Sequence, residues 1–169
     1  MTSTPSHSLT IRPATRDDVP LILSLIRELA EYEKAPQDAK ATPADIEQNL
    51  FGEGFGRGPV VECLIGLIDD VPQGFAIFFP NFSTWVGRSG IYLEDLFVRP
   101  AARGSGLGKA LLREIARIAV ARNCGRVEWS VLDWNTPAIG CYKSLGAVAM
   151  DEWTVYRMTG DAVKRLAQS

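Results

Sequence analysis

Leu93-Glu94-Asp95-Leu96-Phe97-Val98-Arg99-Pro100, followed at once by Ala101-Ala102-Arg103-Gly104-Ser105-Gly106-Leu107-Gly108-Lys109, decides the fold. An apolar strand runs to a proline, and a glycine-rich turn then opens a long amphipathic helix from Gly106 to Asn123. Such a first turn leaves backbone N–H groups aimed past the helix N-terminus, which makes an anion site suited to phosphate. A P-loop does not fit. With Gly108-Lys109 as anchor, its first glycine falls on Arg103, and Ala110 stands where the hydroxyl belongs. A dinucleotide fingerprint does not fit either, because Lys109 occupies the place of the third glycine after Gly104 and Gly106. A third pattern, Arg/Gln-x-x-Gly-x-Gly/Ala after a strand ending in Val-x-Pro, is met in full by Arg103, Gly106 and Gly108.

A second motif follows at Trp134-Asn135-Thr136-Pro137-Ala138-Ile139-Gly140-Cys141-Tyr142-Lys143-Ser144-Leu145-Gly146-Ala147. Asn135 is a good N-cap, Pro137 is tolerated in a first turn, and Gly146 suits the left-handed position past a helix end. Tyr142 falls midway along this short helix; alone it reads equally well as a tyrosine packed on a sheet.

Upstream, Leu9 to Arg12 alternates as a strand. Thr15 caps a helix through Glu33, with Leu21, Ile22, Leu25, Ile26 and Leu29 on its apolar stripe. Thr42-Pro43 opens a second helix ending near Gly52, and 51–59 is a glycine-rich loop. Val60 to Ile68 and Phe75 to Phe79 form a hairpin across 69–74. After a turn region over 81–89, the central strand is Gly90 to Val98. Past the long helix come a stop at Gly125, a strand over 126–132, the tyrosine helix, and a final strand pair around Val148 and Val155. Residues 1–8 read as a disordered tail and 9–169 as a single α/β domain.

The 169 residues are 46% hydrophobic, so the chain is globular, and no apolar run reaches the ~20 residues of a membrane span. The opening residues show neither a basic start nor an apolar stretch, so no secretory signal is visible and the expected location is cytoplasmic. Cys63, Cys124 and Cys141 have no metal or disulfide spacing, and the single histidine, His7, leaves no cysteine–histidine pair in the body of the chain. No metal is expected. A net charge of −2 gives no basic surface for nucleic acid.

Together the two motifs and the element order resemble the GNAT superfamily of N-acetyltransferases over essentially the whole chain. That implies a mixed, largely antiparallel central sheet flanked by helices and splayed at an acetyl-CoA site. Three segments are more narrowly similar to the diamine N-acetyltransferases of the spermidine/spermine and thialysine type. They are Ile11-Arg12-Pro13-Ala14-Thr15, Glu28-Leu29-Ala30-Glu31-Tyr32-Glu33 and Tyr92-Leu93-Glu94-Asp95-Leu96-Phe97-Val98. The hairpin at 69–74 is shorter than in the animal enzymes of that type, and Leu145 stands where a basic residue is expected.

The resemblance implies direct acetyl transfer from acetyl-CoA to a primary amine of a polyamine, diamine or lysine-like amino acid. Within enzymes the alternative is a protein or peptide N-acetyltransferase; outside them, a non-catalytic acyl-CoA-binding module. An alkyl amine of pKa ~10.4 is only about 0.04% neutral at pH 7, so a carboxylate must receive its proton. Glu94 is the candidate, and Asp95, being adjacent, is expected on the opposite face. Tyr142 is the family's donor to the departing sulfur. A phenol of pKa ~10 facing a thiol of ~8.5 makes full proton transfer uphill by about 2 kcal/mol, so a hydrogen-bonding role is preferred. By the same resemblance Leu96, Phe97, Val98, Arg103, Gly104, Ser105, Gly106, Leu107, Gly108, Lys109, Asn135, Pro137, Ala138 and Tyr142 hold the coenzyme. Tyr32, Glu33, Glu94, Glu128, Trp129, Ser130, Asp151 and Trp153 line the amine pocket, with Arg57 or Lys34 available to a substrate carboxylate. A homodimer is implied, supported by apolar Ile77, Phe78, Phe79, Phe82 and Trp85 near a strand end.

Overall fold

The computed structural model describes residues 7–169. Residues up to Ser130 form one compact unit and Val131–Ser169 a second. The first unit holds a five-stranded sheet in the order β1 (Leu9–Pro13), β2 (Glu62–Ile68), β3 (Val71–Ser83), β4 (Arg88–Val98) and β5 (Val127–Trp129). Every neighbouring pair is antiparallel except β4 and β5, which run parallel. Helices α1 (Val19–Tyr32) and α2 (Pro43–Phe51) cover one face and α3 (Leu107–Ala121) lies against the sheet as well.

Through α4 the element order expected from the sequence is present, with instructive shifts. The hairpin between β2 and β3 turns on two residues alone, Asp69 and Asp70, both at positive φ (48° and 64°). That is the twist-matched two-residue turn, so 71–74 belongs to the strand and not to the connection. Pro72 is accommodated because Gln73 is an extra residue between the pairs Leu67–Pro72 and Gly66–Gly74. The helix expected to be capped by Thr15 starts later. Asp18 Oδ2 accepts from the Thr15 N–H (2.8 Å) and hydroxyl (3.1 Å), and a single 3-10 turn, Arg16–Asp18, precedes α1. Asp18 also receives both arms of Arg12 at 2.7 and 2.8 Å. Residues 1–6 of the expected tail lie outside the described residues. His7 and Ser8 of that tail are tied to Asp69, whose carboxylate meets the His7 ring at 2.6 Å and the Ser8 N–H at 2.9 Å.

The buried cluster joins Ile22, Leu25 and Leu29 of α1 and Leu50 of α2 to Cys63, Ile65, Phe75, Ile77 and Phe97 of the sheet. Ile77 and Phe78, expected in an exposed apolar patch, are therefore core residues, 7% and 1% exposed; alternation carries both inward where β3 is covered on two faces. Phe82 (61%) and Trp85 (89%), at the tip of the β3–β4 hairpin, do stand exposed.

The second unit contains α4 (Thr136–Ser144) and α5 (Asp161–Ala167). Asn135 caps α4 by accepting from the Ala138 N–H at 3.4 Å. Gly146, at φ 88°, ends it. The N–H of Ala147 reaches the Tyr142 carbonyl and the N–H of Gly146 reaches that of Lys143, both at 3.1 Å, which is the Schellman arrangement. The strand pair expected around Val148 and Val155 is not formed. A turn does close there, Trp153 N–H to Met150 carbonyl at 3.1 Å, but the flanking segments join no ladder. Two isolated β-branched residues give strand propensity without a buried face, and both valines are about four-fifths exposed (82% and 80%).

Candidate active site

The central strand carries the decisive irregularity. Leu93 pairs with Phe78 and Asp95 with Ile77, so Glu94 is an extra residue, a bulge, on β4. A bulge bends its strand, and β5 accompanies β4 only over Ile91–Leu93. From Glu94 to Val98 the β4 edge beyond the last β5 pair is left open, which is the expected splay and includes Leu96, Phe97 and Val98.

The bulge also resets the faces. Because Asp95 pairs with Ile77, it shares the α1–α2 face with Phe75, Ile77 and Phe97. It is half-buried, and burial pushes its carboxyl up to about 6, with Glu94 and then Glu33 adding like charge. Glu33, just past the end of α1, is itself pushed up by burial. Glu94 is exposed. None of the ion pairs among the described residues includes Asp95, Glu94 or Glu33. Asp95 and Glu33, both raised by burial and neither ion-paired among the described residues, form a site that would attract a cation.

Register extends this face toward β5. Tyr92 pairs with Phe79 and with Glu128, and its hydroxyl lies 2.9 Å from Ser130 Oγ. Glu128 accepts from Asn81 Nδ2 at 2.8 Å and from Arg126 Nε at 2.8 Å. Glu128 and Ser130, expected at the amine pocket, are thus gathered on the Asp95 face, whereas Trp129, between them and paired with Leu93, falls on the opposite face. The sequence reading missed Tyr92 and Asn81. Simple alternation from Phe79 through Asn81 would have found Asn81; Tyr92 and Asp95 needed the position of the bulge.

Beyond Val98 the chain makes a 3-10 turn at Pro100–Ala102 and then the glycine turn. Gly104 and Gly106 take φ 81° and 89°, a region closed to most side chains, and nothing lies within 4 Å of the Gly104 Cβ position. Gly106 caps α3, whose first intrahelical bond runs from the Ala110 N–H to the Gly106 carbonyl (2.9 Å). The N–H groups of Leu107, Gly108 and Lys109 precede that bond, and among the described residues a side chain meets that of Leu107 alone, Ser105 Oγ at 3.3 Å. This is the donor cradle a pyrophosphate requires, and the chain's backbone fits it. Arg103 sends its Nε to the Val98 carbonyl (3.1 Å) and lays its guanidinium 4.1 Å above the Tyr32 ring and 5.9 Å above that of Phe97.

In the second unit Tyr142 is half-buried on α4, and burial, with Cys141 beside it, pushes its phenol up. Pro137 and Ala138 form the first turn after Asn135. Asp151 and Trp153 line a shallow hollow within 149–153, and Trp153 is 67% exposed.

Residues 23–147 match the model of the acetyltransferase (GNAT) family. The chain is 39% identical to the thialysine N-epsilon-acetyltransferase of Bos taurus over 93% of its own length and 96% of that protein's. It is 32% identical to the L-ornithine N5-acetyltransferase of Arabidopsis thaliana, over 92% of this chain and 86% of that one. Among solved structures, an integron cassette protein from the mobile metagenome of V. cholerae superposes with a TM-score of 0.78 at 30% identity, covering 96% of this chain and 99% of its own.

Proposed function

The chain belongs to the acetyltransferase (GNAT) family and is an acetyl-CoA-dependent N-acetyltransferase, and on that premise we propose that its acceptor is the primary amine of a small diamine, polyamine or lysine-like amino acid. The observation that carries the acceptor class is Asp95, a carboxyl without an ion pair on the strand that runs straight into the glycine turn, under like charge from Glu94 and from Glu33 at the end of α1. The names of the relatives, a thialysine and an ornithine enzyme, support the ω-amine of a basic amino acid within that class.

Acetyl-CoA supplies the acetyl group as an activated thioester. In our reading Gly104, Gly106, Leu107, Gly108 and Lys109 bind its pyrophosphate through backbone N–H groups, with Ser105 and Asn135, Pro137 and Ala138 completing the coenzyme contacts. Asp95 takes the proton that the ammonium must lose. A carboxyl near 6 is ionised at pH 7 and is about a hundredfold stronger as a base than an ordinary carboxylate at 3.8, which lessens the uphill step from an alkylammonium of pKa ~10.4. Glu94, the acceptor expected from the sequence, is exposed and stands on the opposite face of the strand, where its role is limited to adding negative charge near Asp95. Glu33 and Tyr32 hold the cation, and Tyr92, Glu128 and Ser130 contact the remainder of the substrate. N–H groups on the open β4 edge at Leu96–Val98 serve the carbonyl oxygen. Tyr142 donates a hydrogen bond to the departing sulfur. Its raised phenol makes complete transfer harder still, so it keeps its proton; CoA leaves as a hydrogen-bonded thiolate, and the second proton shed by the nitrogen as the tetrahedral adduct collapses reaches that sulfur through solvent.

The family match crosses the Ser130–Val131 boundary, which supports treating both units as one catalytic domain. Three unpaired thiols support a reducing, cytoplasmic setting, and exposed Phe82 and Trp85 support a homodimer that light scattering would reveal. The reading is tested by following CoA thiol release with thialysine, lysine, ornithine, putrescine, spermidine and a lysine-containing peptide. We expect turnover of at least one free amine well above that of the peptide. A peptide-only preference, or acetyl-CoA binding without turnover of any amine, would overturn it.

A further inference from the structure

Two arginines in the segment between β4 and the glycine turn reach the same helix. Arg99 Nε and Nη2 donate to the two oxygens of Glu28 at 2.9 and 2.8 Å, while its Nη1 reaches the Pro72 carbonyl at 3.1 Å. Its own N–H donates to the Gln73 carbonyl at 2.9 Å. Arg103, four residues on, stacks 4.1 Å over Tyr32. Glu28 and Tyr32 are also four apart, so they stand one above the other on a single face of α1. The helix ends at Tyr32, and the next residue is Glu33, which bears on Asp95.

This is a two-point clamp from the start of the coenzyme segment onto the last turns of α1. Glu28 is fully engaged: Ser24 Oγ also donates to its Oε1 at 3.1 Å, so its oxygens face partners within the unit and not a ligand. The Arg99–Glu28 fork fixes direction as well as distance. Both side chains are about a third exposed (30% and 32%), so the pair contributes more to orientation than to stability. Lysine could keep the charge at 99 but could not reproduce the fork and the third contact to Pro72 together.

We propose that Glu28 and Arg99 are a positioning pair that fixes the end of α1, and with it Glu33, beside Asp95, so that capture of the amine depends on the segment that leads into the coenzyme loop. This rests on the amine reading given above. The pair touches no reacting atom; it acts through Glu33 and Tyr32.

The test uses the full chain and the amine that wild type turns over best, with Glu28→Gln, Arg99→Lys and the double variant. Amine KM and kcat are read from thiol release, acetyl-CoA Kd from calorimetry, and Tm as a control. Glu28→Gln is expected to raise amine KM by about tenfold, the scale of one charge-assisted hydrogen bond, with kcat and acetyl-CoA Kd within about twofold of wild type. Arg99→Lys should lie between wild type and Glu28→Gln, and the double variant should be no worse than Glu28→Gln, because both changes break one interaction. Lower Tm with unchanged amine KM would make the pair a fold staple and overturn the inference. So would an equal loss of acetyl-CoA affinity, which would place its action on the coenzyme loop. A wild-type chain inactive on every amine would overturn the amine reading, and this inference with it.

Discussion

Asp18 and Asp95 are carboxylates drawn into the same unit, and their surroundings differ in one respect that governs everything else. At the start of α1, Asp18 is 8% exposed and meets two arms of Arg12 and two donors of Thr15, which hold its carboxyl down at about 2. On the bulged strand, Asp95 is in none of the ion pairs among the described residues, and burial, with like charge from Glu94 and Glu33, lifts it to about 6. One acid has its counter-charge built in and belongs to the fold. The other lacks it, and a cationic substrate is the partner that would complete it.

The largest consequence is kinetic. Asp95→Asn should lower kcat/KM for the preferred amine at pH 7 by roughly 10²–10⁴, the span of a lost general base, whereas Asp18→Asn should leave it within about twofold once folded enzyme is counted. Comparable kinetic losses in both variants would erase the distinction. Stability should order them the other way. Asp18→Asn removes charge-assisted hydrogen bonds at a site whose Arg12 side is 37% exposed, so a loss of about 1–2 kcal/mol, or roughly 3–6 °C in Tm, is expected at pH 7.

The pH dependence of stability separates the two acids further. The folded-state value of Asp18 is depressed, so its contribution is present above the ordinary 3.8 and is lost as pH falls through about 2. That of Asp95 is raised, so its contribution is present below 3.8 and is lost as pH rises through about 6. Asp95→Asn should therefore melt a few degrees above wild type at pH 8, with the gap closing toward pH 3.5. A variant less stable than wild type at pH 8 would mean that Asp95 has a stabilising partner. The smallest effect expected is on the neighbour. Glu33→Gln removes the last of the causes that raise Asp95, so the acid limb of kcat/KM should move down by less than about one pH unit. An upward shift would show that Glu33 does not bear on it.

How far the sequence reaches is seen in the same two places. The strand, proline, glycine turn and long helix could be read directly, because Gly104 and Gly106 encode positive φ and Leu107, Leu111, Leu112 and Ile115 encode a helical stripe. Asn135 and Gly146 bounded α4 for the same reason. The direction of Asp95 could not be read. Adjacency sets Glu94 and Asp95 on opposite faces, but which face each takes depends on an extra residue whose position follows from the pairing of β3 with β4. Thr15 does cap the turn that opens this segment, in a capping box with Asp18, but that first turn is 3-10 and the α-helix itself begins at Val19, a distinction local propensity does not make. The short α5 was overlooked although Gly160, Asp161 in its first turn and Lys164 and Arg165 in its last mark it.

Central to the account is that Asp95, and not Glu94, takes the proton from the amine. Measuring kcat/KM from pH 5 to 10 for wild type, Asp95→Asn and Glu94→Gln, with one amine, tests it most directly. The account predicts an acid limb near 6 in wild type, the same limb moved slightly lower in Glu94→Gln, and in Asp95→Asn no limb near 6 but a steady rise toward alkaline pH as more amine becomes neutral. A Glu94→Gln enzyme that loses the limb while Asp95→Asn keeps it would contradict the account.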